Sequence, residues 1–158
     1  MLVVADTSAL LALAASEGLP LLDELFADVR VPAAVFEECT IPEKPFAEQL
    51  REYLESKVVD VDLEEFIIAA AGLGTGELEA MALYKRLHAD RLLLDDSRAR
   101  RVATFNHIEV VGSLGVLLLA KSHGLIPTLK PKLESIRAAG IYLGDALVNE
   151  ALRIAGEL

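Results

Sequence analysis

Apolar residues along the chain fall into short solid blocks, separated by longer stretches in which they recur every three or four positions. Leu2-Val3-Val4-Ala5, Val29-Arg30-Val31, Val58-Val59-Asp60-Val61, Leu92-Leu93-Leu94 and Glu109-Val110-Val111 are the short blocks. Their length and lack of alternation suit strands buried on both faces. Helical spacing predicts helices over residues 9–16, 21–27, 33–39, 46–55, 63–71, 77–87 and 97–103. Gly18-Leu19-Pro20 closes the first of these, Pro32 suits the opening turn of the third, and Ile41-Pro42-Glu43-Lys44-Pro45 ends it. From Ser113 onward the pattern is helical, with breaks at residues 124–127 and 140–144. Short buried strands alternating with helices predict an α/β fold with a parallel sheet covered on both faces. The organisation expected is a single domain over residues 1–158, with a helical C-terminal extension from about residue 124.

Composition narrows this picture. The chain is 53 % hydrophobic but only 5 % aromatic and has no Trp, so aliphatic side chains must fill the core. Cys39 is the single cysteine and His88, His107 and His123 are the only histidines, in no HExxH or CxxC spacing. An internal disulfide and a zinc site are therefore not expected, and a reducing, cytoplasmic setting is. Residues 1–15 are apolar, and Ala12-Leu13-Ala14 resembles a signal-peptidase site, but the first basic residue is Arg30 and Asp6 interrupts the run. That segment reads as a strand entering a helix. No stretch is long and apolar enough to span a membrane, so no membrane partner is expected.

Charge changes the picture again. Fifteen Lys and Arg against twenty-five Asp and Glu leave a net charge of −10. That counts against a broad, non-specific nucleic-acid binder working through basic phosphate contacts, and the acidity also serves solubility. A nuclease is not excluded, because bound divalent cations invert the local charge of an acidic cleft.

The acids themselves are placed suggestively. Ligands of open parallel sheets bind outside the carboxyl ends of the strands. Asp6 follows the first strand, and Asp95-Asp96 follows the fourth. If those strands are neighbours, three carboxylates meet at one edge. Each of these acids would otherwise serve as a helix cap. In the helix over residues 77–87, Ala80, Leu83, Tyr84 and Leu87 form the apolar stripe. Glu77 falls inside that stripe, whereas Glu79 points toward solvent with Arg86. In the helix over 33–39, Glu38 projects inward between Ala34 and Val35, whereas Glu37 points away. An inward carboxylate is unfavourable unless paired, protonated or bound to metal. Oxygen-only ligands select Mg²⁺ or Mn²⁺, and the matching chemistry is metal-assisted phosphodiester hydrolysis.

These residues resemble the PIN-domain nucleases, a family that includes the toxin halves of VapBC toxin–antitoxin pairs. The resemblance rests on Val4-Ala5-Asp6-Thr7-Ser8, an acid in the helix after Val31-Pro32, Gly76-Glu77-Leu78-Glu79-Ala80, Leu93-Leu94-Asp95-Asp96 and Gly112-Ser113-Leu114-Gly115. It implies a three-layer α/β/α fold with a five-stranded parallel sheet, and a Mg²⁺- or Mn²⁺-dependent endoribonuclease acting on single-stranded or structured RNA. By position it implies Asp6, Glu38, Glu77 and either Asp95 or Asp96 as catalytic metal ligands, with Thr7 or Ser8 in support. A homodimer would match the family, and a VapC-like toxin would have a cognate antitoxin.

Arg98, Arg100 and Arg101 follow the doublet. Arg98 and Arg101 are candidates for gripping RNA phosphates, weighed against pairing with surface acids. Gly72-Leu73-Gly74-Thr75-Gly76 fits neither the Walker nor the dinucleotide pattern and reads as a flexible helix entry. Two alternatives stand beside the ribonuclease. One is a non-catalytic PIN-fold module binding nucleic acid or protein. The other is an aspartyl-nucleophile phosphotransferase, for which Ser8 stands where an Asp or Thr is wanted and no Lys precedes Lys44.

Overall fold

The computed structural model describes residues 1–63 and 72–158. Five strands form one all-parallel sheet: β1 (Leu2–Ala5), β2 (Asp28–Pro32), β3 (Val58–Val59), β4 (Arg91–Leu93) and β5 (Val110–Val111). Among the described residues, nine helices flank it in a three-layer α/β/α arrangement: α1 (Thr7–Ala15), α2 (Leu19–Leu25), α3 (Ala33–Cys39), α4 (Ala47–Leu54), α5 (Thr75–Leu87), α6 (Ser97–Phe105), α7 (Ser113–Ser122), α8 (Lys130–Ala138) and α9 (Asp145–Ile154). Solid apolar blocks become strands because both sheet faces are covered. Val3, Val4 and Ala5 of β1 and Leu92, Leu93 of β4 are fully buried or nearly so.

The strand order is β3-β2-β1-β4-β5. The chain moves outward from β1 through β2 to β3, then returns across the sheet to place β4 on the other side of β1. The order therefore reverses between β1 and β4, the position at which doubly wound sheets open a crevice. Register aligns Ala5 with Leu93, and the ladder runs on through a 2.9 Å bond from the Asp6 N–H to the Leu93 carbonyl. Asp6 and the doublet thus leave adjacent strands at the same edge.

Helix α5 packs across β1, β2 and β4 and against α3, while α1 meets α7 and α8. The C-terminal helices join the same buried cluster through Leu129, Leu133, Ile136, Val148 and Leu152. No helix among the described residues is long and apolar enough to cross a membrane.

Most boundaries follow the sequence pattern, and the differences have local causes. Helix α1 begins at Thr7 rather than residue 9, and α5 at Thr75 rather than 77. In both cases small or polar residues occupy the first turn, where side-chain periodicity carries no signal. Helix α2 starts at Leu19 and takes Pro20 into its first turn, where a missing N–H is harmless. The helix expected over residues 63–71 lies outside the described residues, apart from Leu63.

Candidate active site

The crevice between β1 and β4 collects the predicted acids. Asp6 stands at the N-cap position of α1 in extended backbone, yet it makes no side-chain cap hydrogen bond. It is only 3 % exposed, and its Oδ1 has no hydrogen-bond partner among the described residues. A buried acceptor left open in this way is rare in folded proteins. Burial pushes its carboxyl up to about 7; the Thr7 amide opposes this, and Glu77 and Glu38 add to it by repulsion. The amides of Thr7 and Ser8 at the start of α1 lower it only in part, and Oδ1 is left open to a positive charge.

Glu38 reaches the crevice from α3. Overall it is exposed rather than inward-facing. Its carboxylate nonetheless turns toward Asp6, with Oε2 accepting from the Thr7 hydroxyl at 2.7 Å. The other wall is Gly76, where a Cβ would come within 2.6 Å of Glu38 Oε1. The absence of a side chain there lets α3 and α5 bring Glu38 and Glu77 to one place. Cys39, beside Glu38, is buried and its thiol is pushed up to about 12, so no thiolate joins the acids.

Glu77 lies in the first turn of α5 and is half-buried. Its Oε2 accepts from the Gly74 N–H at a long 3.4 Å. Its carboxyl is raised above the ordinary value by burial, with Asp96 and Glu38 contributing repulsion and Gly74 and Arg98 pulling the other way. Glu79 does not point to solvent as its helical phase suggested. It is half-buried, and its Oε1 accepts from the Ala34 N–H at 3.4 Å, at the start of α3. The α3–α5 packing, invisible to a single-helix projection, turns that face inward.

The doublet separates into two roles. Asp96 caps α6 through a 2.8 Å bond from the Ala99 N–H to Oδ1, and it is the member whose charge acts on Glu77. Asp95 is committed elsewhere. Its Oδ1 accepts from the Ser113 N–H at 2.7 Å and its Oδ2 from the Ser113 hydroxyl at 2.6 Å. Its own N–H donates to Ser8 Oγ at 3.3 Å. Asp95 ties the end of β4 to the start of α7, and Ser8 ties it to α1.

Of the arginines, Arg98 comes near Glu77: its guanidinium occupies the space a Cβ on Gly72 would fill, at positive φ, and its charge acts on Glu77; Arg100 lies on the side of Asp95 and Gly112. Arg101 is exposed on the outer side of α6. Ser113, fully buried, was not singled out as a partner by sequence reasoning. The available signal was a Gly-Ser pair directly after a strand adjoining that of the doublet.

A family profile described as a PIN domain matches residues 2–157. The chain belongs to the PIN-domain family. No curated protein matches it. PIN domains are generally nucleases and typically use divalent metal ions, and this PIN domain has donors of the right chemistry. All are carboxylate oxygens, one is buried and open, and mutual repulsion among Asp6, Glu38 and Glu77 is an attraction for a hard cation. Among the described residues no three acids are already closed around one point. Glu38 and Glu77 instead rest on Thr7 and Gly74.

Proposed function

We propose that this PIN domain is a Mg²⁺- or Mn²⁺-dependent endoribonuclease that hydrolyses RNA phosphodiester bonds. The observation that carries the proposal is the buried, unpartnered Oδ1 of Asp6 beside two further carboxylates. Asp6, Glu38, Glu77 and Asp96 would hold the cation, which when bound supplies charge neutralisation and an activated water. The chain's own residues prepare for that. Thr7 fixes the orientation of Glu38. Asp95 and Ser8 lock the strand end from which Asp96 projects, so Asp95 is a positioning residue. Arg98 stands where it would grip a phosphate next to the acids, and Arg101 would meet the strand farther out.

Assignment as a VapC-like toxin with a cognate antitoxin and a homodimeric state belong to the same proposal and rest on family membership; a cytoplasmic location rests on the single cysteine, Cys39. Calorimetric titration with Mn²⁺, followed by incubation with an RNA panel, tests the central claim. Wild type should bind Mn²⁺ and cleave, and Asp6→Asn should do neither. RNA bound but left intact by the Mn²⁺-loaded wild type would make this a binding module instead.

A further inference from the structure

A groove of about 730 Å³ opens off the same sheet edge. It begins at Ser8, Asp95 and Asp96, passes Arg100 and the turn between β5 and α7, and ends between the segment 141–144 and α9. Its character changes along its length. The acid end is formed by Ser8, Asp95 and Asp96 and adjoins the cleft of Asp6, Glu38 and Glu77 through Asp96, whose charge acts on Glu77. The far end is apolar, formed by Leu118, Ile141, Leu143, Leu147 and Ile154. Tyr142 stands on its rim 89 % exposed, and Leu147 and Ile154 are more than half exposed. The phenol end of Tyr142 rests against Gly144, where a Cβ would lie 3.4 Å from the hydroxyl. The hydroxyl end of Tyr142 thus lies over the backbone of Gly144 while its ring is open to solvent.

Arg100 stands at the acid end. Its Nη1 would lie 2.9 Å from a Cβ on Gly112, next to Asp95 Oδ1, and it forms no ion pair among the described residues. Glu150 also lines the groove, but both of its oxygens are held by Arg153 at 2.6 and 2.9 Å. The groove thus joins carboxylates and a guanidinium at one end to an apolar wall with an exposed aromatic ring.

We infer that this groove is a nucleobase subsite, holding the base of a nucleotide next to the scissile phosphate of single-stranded nucleic acid. The inference rests on the nuclease reading of the acid cleft and names what lies beside it. A phosphate beside Arg100 keeps the strand continuous with the acids, and the base stacks on Tyr142 over Leu147 and Ile154. The volume falls in the range of small-ligand sites, about 300–1,000 Å³, and exceeds what one base fills. Few polar groups converge at the far end, so the subsite selects for an unstacked base rather than for one base identity. A base held in a duplex stack could not enter it.

The test is fluorescence anisotropy with a fluorescein-labelled phosphorothioate RNA octamer in Mn²⁺, on wild type, Tyr142→Ala and Tyr142→Phe. Loss of one stacking platform should weaken binding about tenfold in Tyr142→Ala, while Tyr142→Phe should stay within about twofold because the ring face is kept. An abasic nucleotide walked along the octamer should weaken wild type at one position and leave Tyr142→Ala unaffected there. Equal affinities of Tyr142→Ala and wild type would overturn the subsite. So would a wild-type dimer that Tyr142→Ala splits in sedimentation without changing octamer affinity, since the groove would then join two copies. Mn²⁺ titration of the same proteins keeps the two failures apart. Mn²⁺ binding that Asp6→Asn abolishes leaves the acid site standing when the groove fails, and its absence in wild type removes the acid site itself.

Discussion

Two carboxylates of the molecule differ in a way that separates function from support. Glu157, near the C-terminus, is surrounded by donors: Lys121 Nζ and the Leu129 N–H reach its Oε2, both at 2.7 Å, and the Lys130 N–H reaches Oε1 at 3.1 Å. Partial burial works to raise its carboxyl, but Lys121 and the two amides outweigh it and hold the group below the ordinary value. It clasps the chain end onto the start of α8. Asp6 has the opposite surroundings: more deeply buried, open at Oδ1, and raised to about 7. One acid is satisfied by the fold. The other destabilises the fold until something positive arrives.

That contrast gives opposite pH slopes, and the larger effect belongs to Asp6. A carboxyl raised in the folded state carries no penalty below its ordinary value of 3.8, a growing one as pH rises toward about 7, and the full penalty above that. A rise of this size corresponds to at most roughly 4 kcal/mol. In EDTA, Asp6→Asn should therefore be more stable than wild type at pH 8, and the two should converge near pH 4. Adding Mn²⁺ should raise the melting temperature of wild type and not of the mutant, by mass action on the folded state. Urea melts across that pH range check both; a mutant less stable than wild type at pH 8 in EDTA would break the contrast.

Glu157 should behave in reverse. Its contribution is present above its ordinary value of 4.5 and is lost as pH falls through its lower folded value. Glu157→Ala strands a lysine and two amides, and should lower stability by about 2 kcal/mol near neutrality. The deficit should close in acid, where wild type loses the same interaction, and Mn²⁺ binding should be unchanged. A pH-independent deficit would mean that packing, not charge, secures the chain end.

The same contrast explains what the sequence made legible. Asp6 and Asp95-Asp96 could be placed at one edge because solid apolar blocks mark strands buried on both sides, and parallel sheets open at their carboxyl ends. Glu77 could be found because it interrupts an apolar stripe. What escaped depends on contacts between elements. The burial of Glu79 comes from α3 lying against α5. The exposure of Glu38 overall, with its carboxylate still held by Thr7, depends on how α3 is set against α1 and α5. The division of labour within the doublet comes from Ser113, eighteen residues downstream. Helical phase describes one element alone and holds no information about its neighbour.

Asp96 lies between the two extremes and offers the smallest, most discriminating test. One of its oxygens is engaged, capping α6 through the Ala99 N–H, while its charge bears on Glu77. Asn caps a helix about as well as Asp, so Asp96→Asn keeps the structural half of the residue and removes the electrostatic half. Thermal stability in EDTA should stay within about 0.5 kcal/mol of wild type. Mn²⁺ affinity should fall, and any RNA cleavage should fall with it. The carboxyl of Glu77, relieved of a repelling neighbour, should titrate lower, which NMR of the side-chain carboxyl would register. Should Asp96→Asn instead keep full Mn²⁺ affinity, its role reduces to the cap, and the cation would be held by Asp6, Glu38 and Glu77 without it.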